Sequence, residues 1–94
     1  MHTESTYSSP IEILLAEEDD EDYLIFSLAL EELPFTTTLK RAKNGEQALR
    51  MLEDGVPTLL LLDLQMPCKD GRQCLREIRV NTKYHHLPII IYSA

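Results

Sequence analysis

Four consecutive leucines, Leu59 to Leu62, run directly into Asp63. Such a run suits a strand covered on both faces, and a carboxylate at its end does nothing for packing. Upstream, the short apolar run Ile11 to Ala16 also opens into acid, with Glu17, Glu18, Asp19, Asp20, Glu21 and Asp22 in succession. Carboxylates gathered at strand ends repel one another, and a cation relieves that cost. Oxygen-only ligands suit Mg²⁺, which keeps several waters and asks for octahedral geometry. Glu17, Glu18 and Asp63 are therefore candidate ligands of one hard cation. Taken alone, Glu17 to Asp22 reads instead as a solvated acidic turn feeding a helix N-terminus, where the macrodipole favours negative charge. Asp63 shifts the balance, because functional groups collect at the carboxyl ends of parallel strands.

For these groups to meet, the chain must bring its strand ends to one edge, and its apolar pattern provides for that. Ile11 to Ala16 reads as a buried strand. Tyr23 to Leu33 follows as a helix, with Ile25, Leu28 and Ala29 recurring at helical spacing and Pro34 ending it. Thr36 to Ala42 is β-branched enough for a second strand. Asn44-Gly45 marks a turn, and Glu46 to Glu53 forms a helix with Ala48, Leu49 and Leu52 on one side, stopped by Gly55 and Pro57. The Leu59 to Leu62 strand, a helix from Asp70 to about Asn81 carrying Cys74, Leu75 and Ile78, and a strand from Pro88 to Tyr92 complete the series. Strands alternating with helices, the later strands uniformly apolar, predict a doubly wound α/β fold on a parallel sheet.

Composition fits one globular domain of 94 residues, with 44% hydrophobic and 27% charged residues. Met1 to Pro10 reads as a flexible leader, and residues 11–94 as the domain. A net charge of −7 argues against nucleic acid or an anionic membrane as a partner. No apolar stretch approaches the roughly 20 residues that span a bilayer, and the N-terminus lacks the basic start and apolar stretch of a signal peptide, so a cytoplasmic location is expected. Cys68 and Cys74 have no second pair and no histidine at ligand spacing, and are expected to be reduced, structural thiols.

The segment Asp63-Leu-Gln-Met66-Pro67-Cys-Lys-Asp70-Gly71 resembles the response-regulator receiver domain, in which the phosphoacceptor Asp is followed by Met-Pro and then Asp-Gly. Ile11 to Asp20 is similar to that family's first strand and acidic pair, Lys43-Asn44-Gly45 with Glu46 and Ala48-Leu49 to its second turn and helix, and Pro88 to Ala94 to its fourth strand. The likeness covers residues 11–94. It implies a flavodoxin-like fold of strand order 2-1-3-4-5, with Asp63 attacking the phosphorus of a phosphohistidine to form an acyl phosphate with help from Mg²⁺. It also places Glu17 and Glu18 at the acidic pair, makes the backbone carbonyl of Gln65 a further ligand, and makes Ser93 the hydroxyl that reorients toward the phosphoryl group. The implied partner is a sensor histidine kinase or phosphotransfer protein.

Two departures stand out. The family's second acidic position is usually Asp; Glu18 occupies it here, and a small register change would recruit Asp19 instead. The chain also stops just after the fourth strand, so a receiver of roughly 120 residues would lack its fourth helix, fifth strand and fifth helix, and with them the family's phosphate-binding Lys. The expectation is a shortened form of a longer receiver, the alternative a natural fragment that borrows the missing part. Either leaves Pro88 to Ser93 as an apolar edge, and self-association through that fourth strand is expected. Two other functions compete with phosphoacceptance. A kinase-binding fragment without phosphotransfer fits the missing Lys. A haloacid-dehalogenase-type phosphatase also needs a strand-end Asp and Mg²⁺, but Gln65 stands where its second Asp is required.

Overall fold

The structure is a computed structural model that describes residues 10–67 and 69–93. The expected leader, apart from Pro10, lies outside the described residues, as do Cys68 and Ala94. In chain order the elements are β1 (Ile11–Ala16), α1 (Asp20–Glu31), β2 (Thr37–Ala42), α2 (Gly45–Asp54), β3 (Leu59–Asp63), α3 (Gly71–Arg79), a 3₁₀ turn (Thr82–Tyr84) and β4 (Ile89–Tyr92). All strand pairs are parallel and the sheet order is β2-β1-β3-β4. This is the expected doubly wound α/β arrangement, with helices on both faces.

Each helix begins on an Asx side chain that accepts a backbone N–H three residues on, which satisfies one of the donors a helix start leaves free. Asp19 caps α1 through Asp22 N at 3.0 Å, Asn44 caps α2 through Gln47 N at 2.8 Å, and Asp70 caps α3 through Gln73 N at 2.9 Å. Gln47 returns the contact, its side-chain oxygen accepting from Lys43 N at 2.6 Å.

One face of the sheet carries most of the core. Leu14, Ala16, Leu60 and Leu62 pack there against Ala48 and Leu52 of α2 and Cys74 and Ile78 of α3, with Tyr84 and Leu87 closing the far side. The other face is thinner: Ile13, Leu15 and Leu61 are buried, covered by the half-buried Tyr23, Phe26 and Leu30 of α1. The helical face of α1 therefore differs from the expected one, because Ile25, Leu28 and Ala29 point outward and Ile25 is 63% exposed. Both stripes recur at helical spacing, and the aromatic one wins the sheet because Tyr23 and Phe26 cover more area. The fourth strand lies at the edge of the described sheet, as expected, with Ile90 and Ile91 exposed. No helix among the described residues is long and apolar enough to cross a membrane.

Candidate functional site

With β1 and β3 adjacent and β2 on the far side of β1, the chain reverses direction across the sheet between β1 and β3. In open α/β sheets the crevice at such a switch point, beyond the carboxyl ends of the strands, is where ligands bind. Ala16 pairs with Leu62 in register, so Glu17 and Asp63 stand at the same level on neighbouring strands. Alternation along each strand turns both toward the α1 face, the side of Leu15 and Leu61. Both are buried, Glu17 at 1% exposure and Asp63 at 3%.

Each has donors from the backbone. Asp63 Oδ1 accepts from Gln65 N at 2.9 Å, and Glu17 Oε2 accepts from Asp19 N at 3.0 Å. Neither pairs with a basic side chain among the described residues, where the ion pairs are Arg41–Asp20 at 2.8 Å and Lys69–Glu77 at 2.5 Å. Two buried carboxylates with no ion-pair partner among the described residues are costly in a low-dielectric setting. At the rim, the Asp22 carboxyl is held above the usual carboxylate range, first by desolvation and then by the charges of Asp19 and Glu17.

The sequence puts three carboxylates in one crevice; the structure brings two. Glu18 is exposed on the β1–α1 loop, and among the described residues no group of three His, Cys, Asp or Glu side chains is placed to hold a metal ion. Asp19, the alternative to Glu18, is committed to capping α1. The donors present still suit a hard cation that retains water, since Mg²⁺ is commonly held by one or two carboxylates with water completing its shell. Gln65 lies at the surface two residues beyond Asp63, and Ser93 is exposed just past the end of β4.

The motif around Asp63 has visible structural work. Met66 is buried in the core and anchors the loop. Gly71 starts α3 against the site: a Cβ there would lie 2.3 Å from the Asp63 carbonyl oxygen and 2.5 Å from Leu64 Cα. Gly45 does the same at the start of α2, where a Cβ would meet the Lys69 carbonyl at 2.4 Å. These two glycines are required by close backbone approach.

Sequence reasoning missed two residues. Arg41, at the end of β2, donates from Nε to the Glu17 carbonyl at 2.9 Å and from Nη2 to the Glu18 carbonyl at 3.0 Å, and pairs with Asp20. Its guanidinium lies 4.6 Å from the Tyr23 ring centroid, so one side chain holds the whole acidic loop. Tyr92 donates its phenol to Glu17 Oε1 at 2.6 Å. Burial first, then that bond, push the phenol's pKa far up, so it stays a protonated donor. A tyrosine ending a run of three isoleucines was the available signal. A cleft of about 160 Å³ bordered by Glu12, Thr38, Lys40 and Asp54 involves none of these residues, and its charged groups are exposed.

Comparison with known proteins gives the same picture. The family model for the response regulator receiver domain matches residues 13–94. The transcriptional regulatory protein CpxR of Klebsiella pneumoniae is 39% identical over 82 residues, covering 87% of this chain and 33% of CpxR. The probable methanogenesis regulatory protein FilR2 of Methanothrix harundinacea is 31% identical over 90 residues, covering 89% of this chain and 58% of FilR2. Among solved structures, the Mn²⁺-bound form of response regulator Rcp1 superposes with a TM-score of 0.85 at 30% identity, covering 89% of this chain and 66% of that one. The chain thus spans between a third and two thirds of the length of these relatives. With the family pattern matched from β1 to β4 and the sheet order shared, the chain belongs to the response regulator receiver domain family, the receiving module of two-component signalling.

Proposed function

We propose that this chain accepts a phosphoryl group on Asp63 from a sensor histidine kinase or phosphotransfer protein. The observation that carries this is the pair of buried carboxylates, Glu17 and Asp63, at the β1–β3 switch point without a basic partner among the described residues. The Gln65 amide occupies Oδ1 and fixes the carboxylate plane, which leaves Oδ2 as the attacking oxygen. As Oδ2 forms the new P–O bond, the P–N bond of phosphohistidine breaks and its electron pair goes to the imidazole nitrogen. Glu17, Glu18, Asp63 and the Gln65 carbonyl are the groups that would hold Mg²⁺. Bound there, the cation offsets the charge that develops on the transferring oxygens. Ser93, one residue past Tyr92, is the hydroxyl that turns toward the new phosphoryl group. The chain is on this account a phosphoacceptor rather than an enzyme with a separate substrate, cytoplasmic, and without a nucleic-acid surface of its own, in keeping with its net charge of −7. Acetyl phosphate with Mg²⁺ should label the chain, and borohydride trapping should place the label on Asp63. Label on His85 or His86, both exposed, would overturn the assignment.

The edge strand supports a second element of this proposal. Ile90 is 53% and Ile91 41% exposed on β4, the outermost strand on its side of the described sheet. Exposed apolar edges of this kind pair with other strands. The 94-residue chain is expected to self-associate through Ile89 to Tyr92, seen as a concentration-dependent sedimentation coefficient at micromolar protein. A strictly monomeric, cooperatively folded species contradicts it.

A further inference from the structure

Tyr92 stands opposite Asp63 in the β3–β4 register, and Glu17 lies one residue beyond the Ala16–Leu62 pair of β1 and β3. The three residues therefore form one row across β4, β3 and β1. Neighbouring strands are about 4.8 Å apart, so Tyr92 and Glu17 sit on strands roughly 10 Å apart with the strand of Asp63 between them. Their side chains nonetheless meet at 2.6 Å, which requires them to bridge over β3 at the level of Asp63. The Tyr92 ring is held from the other side by Phe26 of α1, with centroids 5.0 Å apart and planes tilted by 46°. Glu17 thus has one donor on each oxygen, the phenol on Oε1 and the Asp19 amide on Oε2. Two charge-assisted bonds from different elements fix both the plane and the direction of a buried carboxylate.

We infer that Tyr92 is a positioning residue of the site: its hydroxyl holds the Glu17 carboxylate in the orientation from which Glu17 serves the cation beside Asp63. The same bond ties the strand that presents Ser93 to the acidic loop. This rests on Glu17 and Asp63 forming the Mg²⁺ site proposed above. Arg41 and Tyr92 then divide the work, the first holding the loop's backbone and the second holding the side chain that the loop delivers.

Tyr92→Phe removes the hydroxyl and keeps the ring and its contact with Phe26. Titration of MgCl₂ into the 94-residue chain, followed through the backbone amide resonances of Asp63, Leu64 and Gln65, reads affinity without any need for phosphotransfer. The dissociation constant is expected to rise at least fivefold in Tyr92→Phe. Because the hydroxyl acts through Glu17, Tyr92→Phe combined with Glu17→Gln should bind no more weakly than Glu17→Gln alone. A Tyr92→Phe affinity within twofold of the parent, or tighter, overturns the inference while leaving the metal site standing. A full further loss on top of Glu17→Gln also overturns it, since the hydroxyl would then act by a route other than Glu17. If the parent chain and Asp63→Asn respond alike to MgCl₂, the metal site falls and takes the inference with it.

Discussion

On one side of the sheet α2 and α3 bring Ala48, Leu52, Cys74 and Ile78 to complete burial, whereas on the other α1 buries no residue fully and leaves Leu24, Ile25 and Leu28 half exposed. The buried carboxylates, Glu17 and Asp63, are both on the thin side, together with Tyr92 and the loop that Arg41 holds. The packed face supplies stability and fixes the strands. The thin face carries carboxylates whose burial costs stability, covered by a helix that is only half-buried where it packs. Functional sites are commonly drawn from such low-stability regions, because the elements around them must respond to ligand.

The sharpest way to break this comparison is to weaken both faces equally. Leu52→Ala or Ile78→Ala empties a fully buried site and should cost about 2–5 kcal/mol. Phe26→Ala or Leu30→Ala on α1, each half-buried against the sheet, should cost less, about 1 kcal/mol. Urea denaturation of the four variants decides it, and comparable losses on the two faces would show that α1 is as firmly docked as α2 and α3.

A smaller effect is expected where the packed face meets the site. Gly71→Ala drives a methyl into the Asp63 carbonyl and Leu64 Cα, so α3 or the β3–α3 loop must shift. Overpacking of this kind costs about 1–3 kcal/mol. The shift should appear in the amide resonances of Asp63 to Gln65 while those of Leu14 and Leu60 stay in place. A variant of parental stability with unmoved resonances would mean the helix start tolerates a side chain.

The smallest effect concerns Cys74. Burial raises its thiol pKa from 9.0 to about 11. The folded chain therefore holds the thiol proton more tightly than the unfolded chain does, and this contribution to stability is lost as pH rises from about 9 to about 11. Below pH 9 it is fully present. Iodoacetamide at pH 8 should modify Cys74 no faster than the chain opens, and rapid modification would show that the packed face breathes.

Much of this was legible in the residues. The leucine run pointed to β3 and to Asp63 at its carboxyl end, because a wholly apolar run has few places to go but the centre of a parallel sheet. Ala48, Leu52, Cys74 and Ile78 were readable as core from one clear stripe on each helix. The face of α1 was not readable, because Leu24, Ile25, Leu28 and Ala29 make a stripe as apolar as that of Tyr23, Phe26 and Leu30, and only the neighbouring sheet decides between them. Glu18 joined the ligand set by its place in the acidic pair, and the sequence does not mark that it is exposed beside a buried Glu17, since consecutive residues at a strand end turn to opposite sides. Arg41 and Tyr92 escaped notice because their roles are long-range: each reaches the acidic loop from another strand, 24 and 75 residues away.

The claim that the thin face carries a phosphoacceptor is tested most directly by mass spectrometry of the intact chain after acetyl phosphate treatment with and without Mg²⁺, on the parent and on Asp63→Asn. The account predicts a single phosphoryl adduct that requires Mg²⁺, is absent in Asp63→Asn, and is removed by hydroxylamine as an acyl phosphate. An adduct that persists in Asp63→Asn, or one that forms equally well in EDTA, would contradict it.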